Sequence, residues 1–246
     1  MCDILAISAG HNYTPGQYLP IFAAKGRKNL YGWGIGFYRD DRALVEKSAD
    51  QAFDGEQVHE SFQRLARIID SRIIVSHLRC HRGGGRHVAL NHPFCLPFLN
   101  HSWLFVHVGI VEHIEQYCTE REPRLDTEVY PARVFEFLRD KMMSHLEMNP
   151  YLSLYDVVQR SIAKLVAAYP GYYNFFLANE SVLFAYCNHG QLLLLKESET
   201  PGEVLLLTSL DKGLSEKEWL PIRAPESSIG RLLVIAGPEV LYMGDL

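Results

Sequence analysis

A chain of 246 residues, 48% hydrophobic, 22% charged and 11% aromatic, is long enough to bury roughly three quarters of its unfolded surface, so it can build a core without disulfides or a structural metal. Its formal charge of -5 excludes the basic face that neutralising phosphates requires, and with it a nucleic-acid partner. The longest apolar runs, such as Leu192 to Leu195 and Val204 to Leu207, are too short to span a bilayer, and the N-terminal MCDILAISAG carries no basic n-region or long apolar h-region, which excludes membrane and secretory readings.

In chain order, Asp3 to Ser8 reads as a first strand with Cys2 at its leading edge. Gly32 to Tyr38, the turn Arg39-Asp40-Asp41 and Ala43 to Lys47 predict a hairpin. Val58, Phe62, Leu65, Ala66 and Ile69 recur at helical spacing, so Gln57 to Ile69 is predicted as an amphipathic helix leading into the strand Arg72 to His77. Arg79 to His92, with three consecutive glycines, reads as loop. Trp103 to His107 is predicted as a strand ending in a turn at His107-Val108-Gly109.

Two helices follow, Asp126 to His145 with Pro131 in its first turns, and Ser153 to Ala168. Beyond Tyr169-Pro170-Gly171 the pattern is of strands: Tyr172 to Ala178, Val182 to Cys187, Gln191 to Lys196, Val204 to Thr208 and Arg231 to Ala236. Strands, then helices, then strands, with no repeat or Pro/Ser-rich linker, point to one layered α+β domain over residues 1–246.

Several features carry chemistry. The five cysteines form an odd set without a CxxC pair, which fits a reducing compartment, by default the cytoplasm. One of them, Cys2, follows the initiator methionine. Removal of Met1 would leave a thiol and a free α-amine on one residue, and an amine of pKa about 8 can take the thiol proton, so Cys2 would carry its own general base. Seven of the 11 histidines fall between His77 and His113, which invites a metal-hydrolase reading, but no HExxH or HxH spacing is present. Arg79, Arg82 and Arg86 beside Gly83 to Gly85 could cradle a phosphate, yet the chain has no GxxxxGK[ST] motif.

Taken together, Met1-Cys2, Gly32-Trp33-Gly34-Ile35, His77-x-Arg79, His92-Pro93-Phe94, His107-x-Gly109 and Asp126-Thr127-Glu128 resemble, in order and spacing, a class II glutamine amidotransferase domain. Thr208-Ser209 and Trp219-Leu220-Pro221-Ile222 resemble the closing strands of the stand-alone members that hydrolyse γ-glutamyl compounds. These are N-terminal nucleophile hydrolases, and the resemblance implies a four-layer αββα sandwich of two antiparallel sheets covered by helices. It implies Cys2 as the nucleophile that forms a γ-glutamyl thioester, Arg79 as the ligand of the substrate α-carboxylate, Asp126 as the ligand of its α-ammonium, and the Gly109 N–H as an oxyanion donor. No cofactor is implied. The implied partners are a small γ-glutamyl substrate and, because the glutaminase fold consumes the whole chain, a separate synthase or acceptor subunit if there is one.

The sequence departs from the family at three places. Val108 stands where the family has the oxyanion-hole Asn, and loss of one such donor costs about 10² to 10³ in rate. Cys80-His81-Arg82-Gly83 replaces residues that help to bind substrate, so Cys80 and Arg82 are candidate specificity positions, Arg82 as a second carboxylate ligand. Tyr31 precedes Gly32 where many relatives have Asp. Two readings therefore stand: a γ-glutamyl amide hydrolase, or a weakened or inactive domain retained as a ligand- or partner-binding subunit.

Overall fold

The computed structural model describes residues 2–80, 85–127, 129–198, 203–210 and 214–246. Its elements are β1 (Asp3–Tyr13), α1 (Tyr18–Lys25), β2 (Trp33–Arg39), β3 (Arg42–Ser48), α2 (Glu60–Ile68), β4 (Ser71–Leu78), β5 (Phe94–Phe98) and β6 (His101–Val111), then α3 (Tyr130–Met148) and α4 (Leu154–Ala168). The remaining strands are β7 (Gly171–Ala178), β8 (Leu183–Cys187), β9 (Leu192–Glu197), β10 (Val204–Thr208), β11 (Leu220–Ile222), β12 (Arg231–Ala236) and β13 (Glu239–Asp245). They form a seven-stranded sheet, β11-β9-β10-β1-β4-β2-β3, and a six-stranded sheet, β13-β12-β8-β7-β6-β5. The pairings are antiparallel.

Strand alternation generates the layers. On β1, Leu5 and Ile7 pack with Tyr18, Leu19 and Phe22 of α1 and Phe62 and Ala66 of α2, whereas Ile4 and Ala6 face the other sheet. That inner layer also takes Val75 from β4, Val106 and Val108 from β6, and Phe176 from β7. On the far side, Phe105, Tyr173 and Phe175 pack under α3 and α4. Each central strand is thus apolar on both faces, because each sheet is covered on both. The architecture is the α+β, two-sheet sandwich that the resemblance implies.

Local chemistry accounts for the details. The hairpin β2–β3 closes on Asp40 and Asp41, both at positive φ (49° and 60°), the turn that matches strand twist. Ser153 caps α4 by accepting the Asp156 N–H. Two sequence expectations need correction. His107-Val108-Gly109 is not a turn: β6 continues to Val111, paired with β7 throughout. The long helix begins at Tyr130 behind Val129, so Asp126 precedes it as loop. Helix α1 and strands β5 and β13 were not anticipated.

Glycine permits close backbone approach at Gly109 and Gly34. A Cβ on Gly109 would lie 1.7 Å from the Tyr172 carbonyl oxygen, and one on Gly34 would lie 2.0 Å from that of His92. Gly109 therefore serves strand contact rather than a reversal.

Among the described residues, no helix is long and apolar enough to cross a membrane.

Candidate active site

Antiparallel pairing of β1 with β4 sets Asp3 opposite Leu78, and the next step along the ladder brings Cys2 to the Arg79-Cys80 corner. There the Cys80 backbone N–H donates to Cys2 Sγ at 3.2 Å. Burial pushes the Cys2 thiol pKa up, and this N–H acts in the opposite direction by stabilising the thiolate. The start of β1 is clamped from the other side. Ser209 Oγ accepts the Ile4 N–H at 3.0 Å, the Ser209 N–H donates to the Ile4 carbonyl at 3.1 Å, and Thr208 Oγ1 donates to the same carbonyl at 2.9 Å. Asp3 receives the Asn29 amide at 2.5 Å. The Thr208-Ser209 element thus fixes the backbone that carries the thiol.

Cys2 opens onto a cleft of about 710 Å³, lined also by Asn29, Cys80, Asn174, His189 and Ser209, with Lys25, Arg27 and Lys28 along one wall. The cleft combines a thiol, carboxamides and cations, a set suited to nucleophilic attack on a polar, anionic substrate.

The sequence-predicted residues divide as follows. Cys2 and Cys80 come together, Cys80 through its backbone. Arg79 is buried beside them: its N–H donates to the Gly32 carbonyl at 2.8 Å, its carbonyl accepts the Tyr31 N–H at 3.0 Å, and its guanidinium donates to the Gly85 carbonyl at 2.9 Å. Gly32 is needed at this contact, since it adopts a φ of +116° and a Cβ would meet the Ser48 carbonyl at 2.5 Å. Val108 is buried in the same inter-sheet apolar layer against which Cys2 packs and offers no polar group. The Gly109 carbonyl accepts the Tyr130 hydroxyl at 2.7 Å. Asp126 is exposed in the loop before α3. Arg79, Val108, Gly109 and Asp126 are not among the described residues that line the cleft. Arg82 lies outside the described residues.

Sequence reasoning missed Asn29, Asn174 and His189. Asn174 had a legible signal, as the one polar residue in the aromatic run Tyr172-Tyr173-Asn174-Phe175-Phe176.

Among the described histidines of the cluster, His77, His92 and His107 are buried. His77 and His92 lie 4.5 Å apart between ring centroids with their planes tilted by 58°, and His107 stacks on Phe105 at 6.2 Å between centroids. Burial, reinforced by the Arg79 charge, lowers the His77 pKa to about 3. Burial holds His92 well below the usual range and brings His107 to about 4. All three are neutral packing groups at pH 7. Among the described residues, no three His, Cys, Asp or Glu side chains converge as metal ligands would.

The sequence matches the family model of the class II glutamine amidotransferases over residues 1–211. No curated protein sequence matches the chain. Among solved structures, the fold is similar to a predicted glutamine amidotransferase from Pseudomonas aeruginosa PA01, with a TM-score of 0.66 and 18% identity over 98% of this chain and 99% of that one. It is similar to a glutamine aminotransferase class-II domain protein from Silicibacter pomeroyi, with a TM-score of 0.58 and 15% identity over 99% of this chain and 98% of that one. The glutamine phosphoribosylpyrophosphate amidotransferase of Bacillus subtilis gives 0.66 and 13% identity, and the present chain spans 49% of it.

Proposed function

Because the chain belongs to the class II glutamine amidotransferases, we propose that it hydrolyses the γ-glutamyl amide of glutamine or of a γ-glutamyl compound through a thioester on Cys2. The observation that supports this most is the Cys2 thiol, held at the cleft by the Cys80 N–H at 3.2 Å. With Met1 removed, the α-amine of Cys2 takes the thiol proton. The thiolate attacks the γ-carbonyl carbon, the S–C bond forms, and the C–N bond breaks as the amine passes its proton to the leaving nitrogen. Water then cleaves the thioester, giving glutamate and the free thiol.

In this reading Arg79 holds the substrate α-carboxylate, a task suited to a planar fork of donors, and Asp126 holds the α-ammonium. Arg82 serves as a second carboxylate ligand, Cys80 holds the Cys2 thiol through its backbone N–H, and Gly109 offers an N–H to the oxyanion. The cationic wall of Lys25, Arg27 and Lys28 favours a leaving amine with its own carboxylate, as in a γ-glutamyl peptide. No cofactor enters the reaction. We place the protein in the cytoplasm, in keeping with five unpaired thiols, as one domain that releases ammonia or amine to water or to a separate acceptor subunit.

Glutamate release tests the reading. Turnover is expected with glutamine and, at higher kcat/KM, with a γ-glutamyl peptide bearing a free carboxylate; no release from any γ-glutamyl amide would contradict it. Arg79→Lys is expected to raise KM about 10- to 100-fold, the worth of one charge-assisted pair, with a smaller change in kcat. An unchanged KM would remove Arg79 from the head-group site.

A further inference from the structure

We propose that Asn174 is the oxyanion donor of this protein, a side-chain amide displaced by one strand, from β6 to β7, to replace the donor that Val108 lacks. The inference rests on the hydrolase reading above.

The argument begins with register. Val108 and Asn174 are directly opposite partners in the β6–β7 ladder. Opposite residues of an antiparallel pair project from the same face with Cβ atoms about 5 Å apart, so an amide can move between these positions and stay in one neighbourhood. The face is the one that meets the nucleophile. Val108 itself and Phe176, two residues along β7 from Asn174, belong to the layer against which Cys2 packs, and Asn174 lines the cleft with Cys2.

The amide is also held as a donor. Asn174 is 5% exposed. Its Nδ2 donates to the His189 carbonyl at 2.8 Å, and since a carbonyl can only accept, this contact fixes which end of the amide is nitrogen. An NH₂ group carries a second hydrogen. The turn that supplies the carbonyl is itself fixed. Asn188 Oδ1 accepts the Tyr173 N–H at 2.7 Å, Asn188 Nδ2 donates to the Gly171 carbonyl at 3.1 Å, and the His189 ring lies 3.9 Å from that of Tyr172.

Asn174 Oδ1 accepts no hydrogen bond from the described residues. An amide nitrogen fixed in the cleft that holds the nucleophile is a donor of the kind that stabilises a developing oxyanion. As the Cys2 thiolate adds to the γ-carbonyl, the C=O electron pair moves onto oxygen and accepts the Asn174 N–H. When the tetrahedral adduct collapses and expels the amine, the pair returns, and no bond to Asn174 is made or broken.

The experiment compares wild type with Asn174→Ala and Asn174→Asp in three measurements: hydrolysis of glutamine and γ-glutamyl p-nitroanilide, alkylation of Cys2 by iodoacetamide followed by peptide mapping, and glutamate binding. Alkylation and glutamate binding develop no oxyanion. The expected result is a fall in kcat of about 10²- to 10³-fold in both variants, with alkylation of Cys2 and glutamate affinity within a few-fold of wild type. Wild-type kcat in either folded variant would overturn the assignment while leaving the hydrolase reading intact, as would a parallel loss of all three measurements, which marks a structural role. A wild type that neither hydrolyses these substrates nor is labelled by a glutamine-analogue electrophile would overturn both.

Discussion

Replacing Cys2 by alanine is expected to lower γ-glutamyl hydrolysis by about 10⁴- to 10⁶-fold, the scale on which nucleophile removal acts in enzymes with covalent intermediates. The fold should survive, because the pairing of β1 with β4 and β10 begins after Cys2, at Asp3 and Leu5, and the clamp from Ser209 and Thr208 acts on Ile4. Glutamate affinity should be little changed. Cys80→Ala supplies the contrast: Cys80 serves Cys2 through its main chain, so the variant should retain activity within a few-fold. Steady-state kinetics of the two variants separate the thiol that reacts from its neighbour. Comparable losses in both would contradict the assignment.

A second large effect concerns stability. His77, His92 and His107 are neutral in the folded chain because burial opposes their charged forms, with His77 at about 3 and His107 at about 4. In the unfolded chain a histidine protonates at about pH 6.5. Below that pH the unfolded state binds protons that the folded state refuses, so stability is full above pH 6.5 and is lost as pH falls toward the folded-state values. Each such group contributes a slope of up to about 1.4 kcal/mol per pH unit. Three together should cost about 4 kcal/mol between pH 7.5 and 5.5, before most carboxylates begin to titrate. Urea unfolding at the two pH values measures this directly. A flat profile would mean that the trio is solvated or paired.

The legible parts of the fold were those where local pattern and tertiary role agree. The strands Val204–Thr208 and Arg231–Ala236 are built on the uninterrupted apolar runs Val204 to Leu207 and Leu232 to Ala236, and both are strands as read. Helix α1 escaped because Tyr18–Lys25 is apolar around most of its surface, so it has no clear periodic face, and it includes Pro20. Strand β5 escaped because Pro97 argues against a strand, yet β5 lies at the edge of its sheet, where a missing N–H is tolerated. Gly109 suggested a turn because glycine commonly marks one; its cause here is the Tyr172 carbonyl 1.7 Å from where a Cβ would stand, a contact made across 63 residues of chain. Similarly, Cys2 could be read as a nucleophile from its position, but its pairing with the Cys80 N–H depends on strand register. The juxtaposition of Val108 with Asn174 is equally non-local.

The most direct test of the account is mass spectrometry of protein purified from its own host, before and after exposure to a glutamine-analogue electrophile such as a γ-diazoketone. The account predicts a chain that lacks Met1, begins at Cys2, and carries one adduct that peptide mapping assigns to Cys2 and that excess glutamine suppresses. An intact Met1 together with no adduct on Cys2 would contradict it.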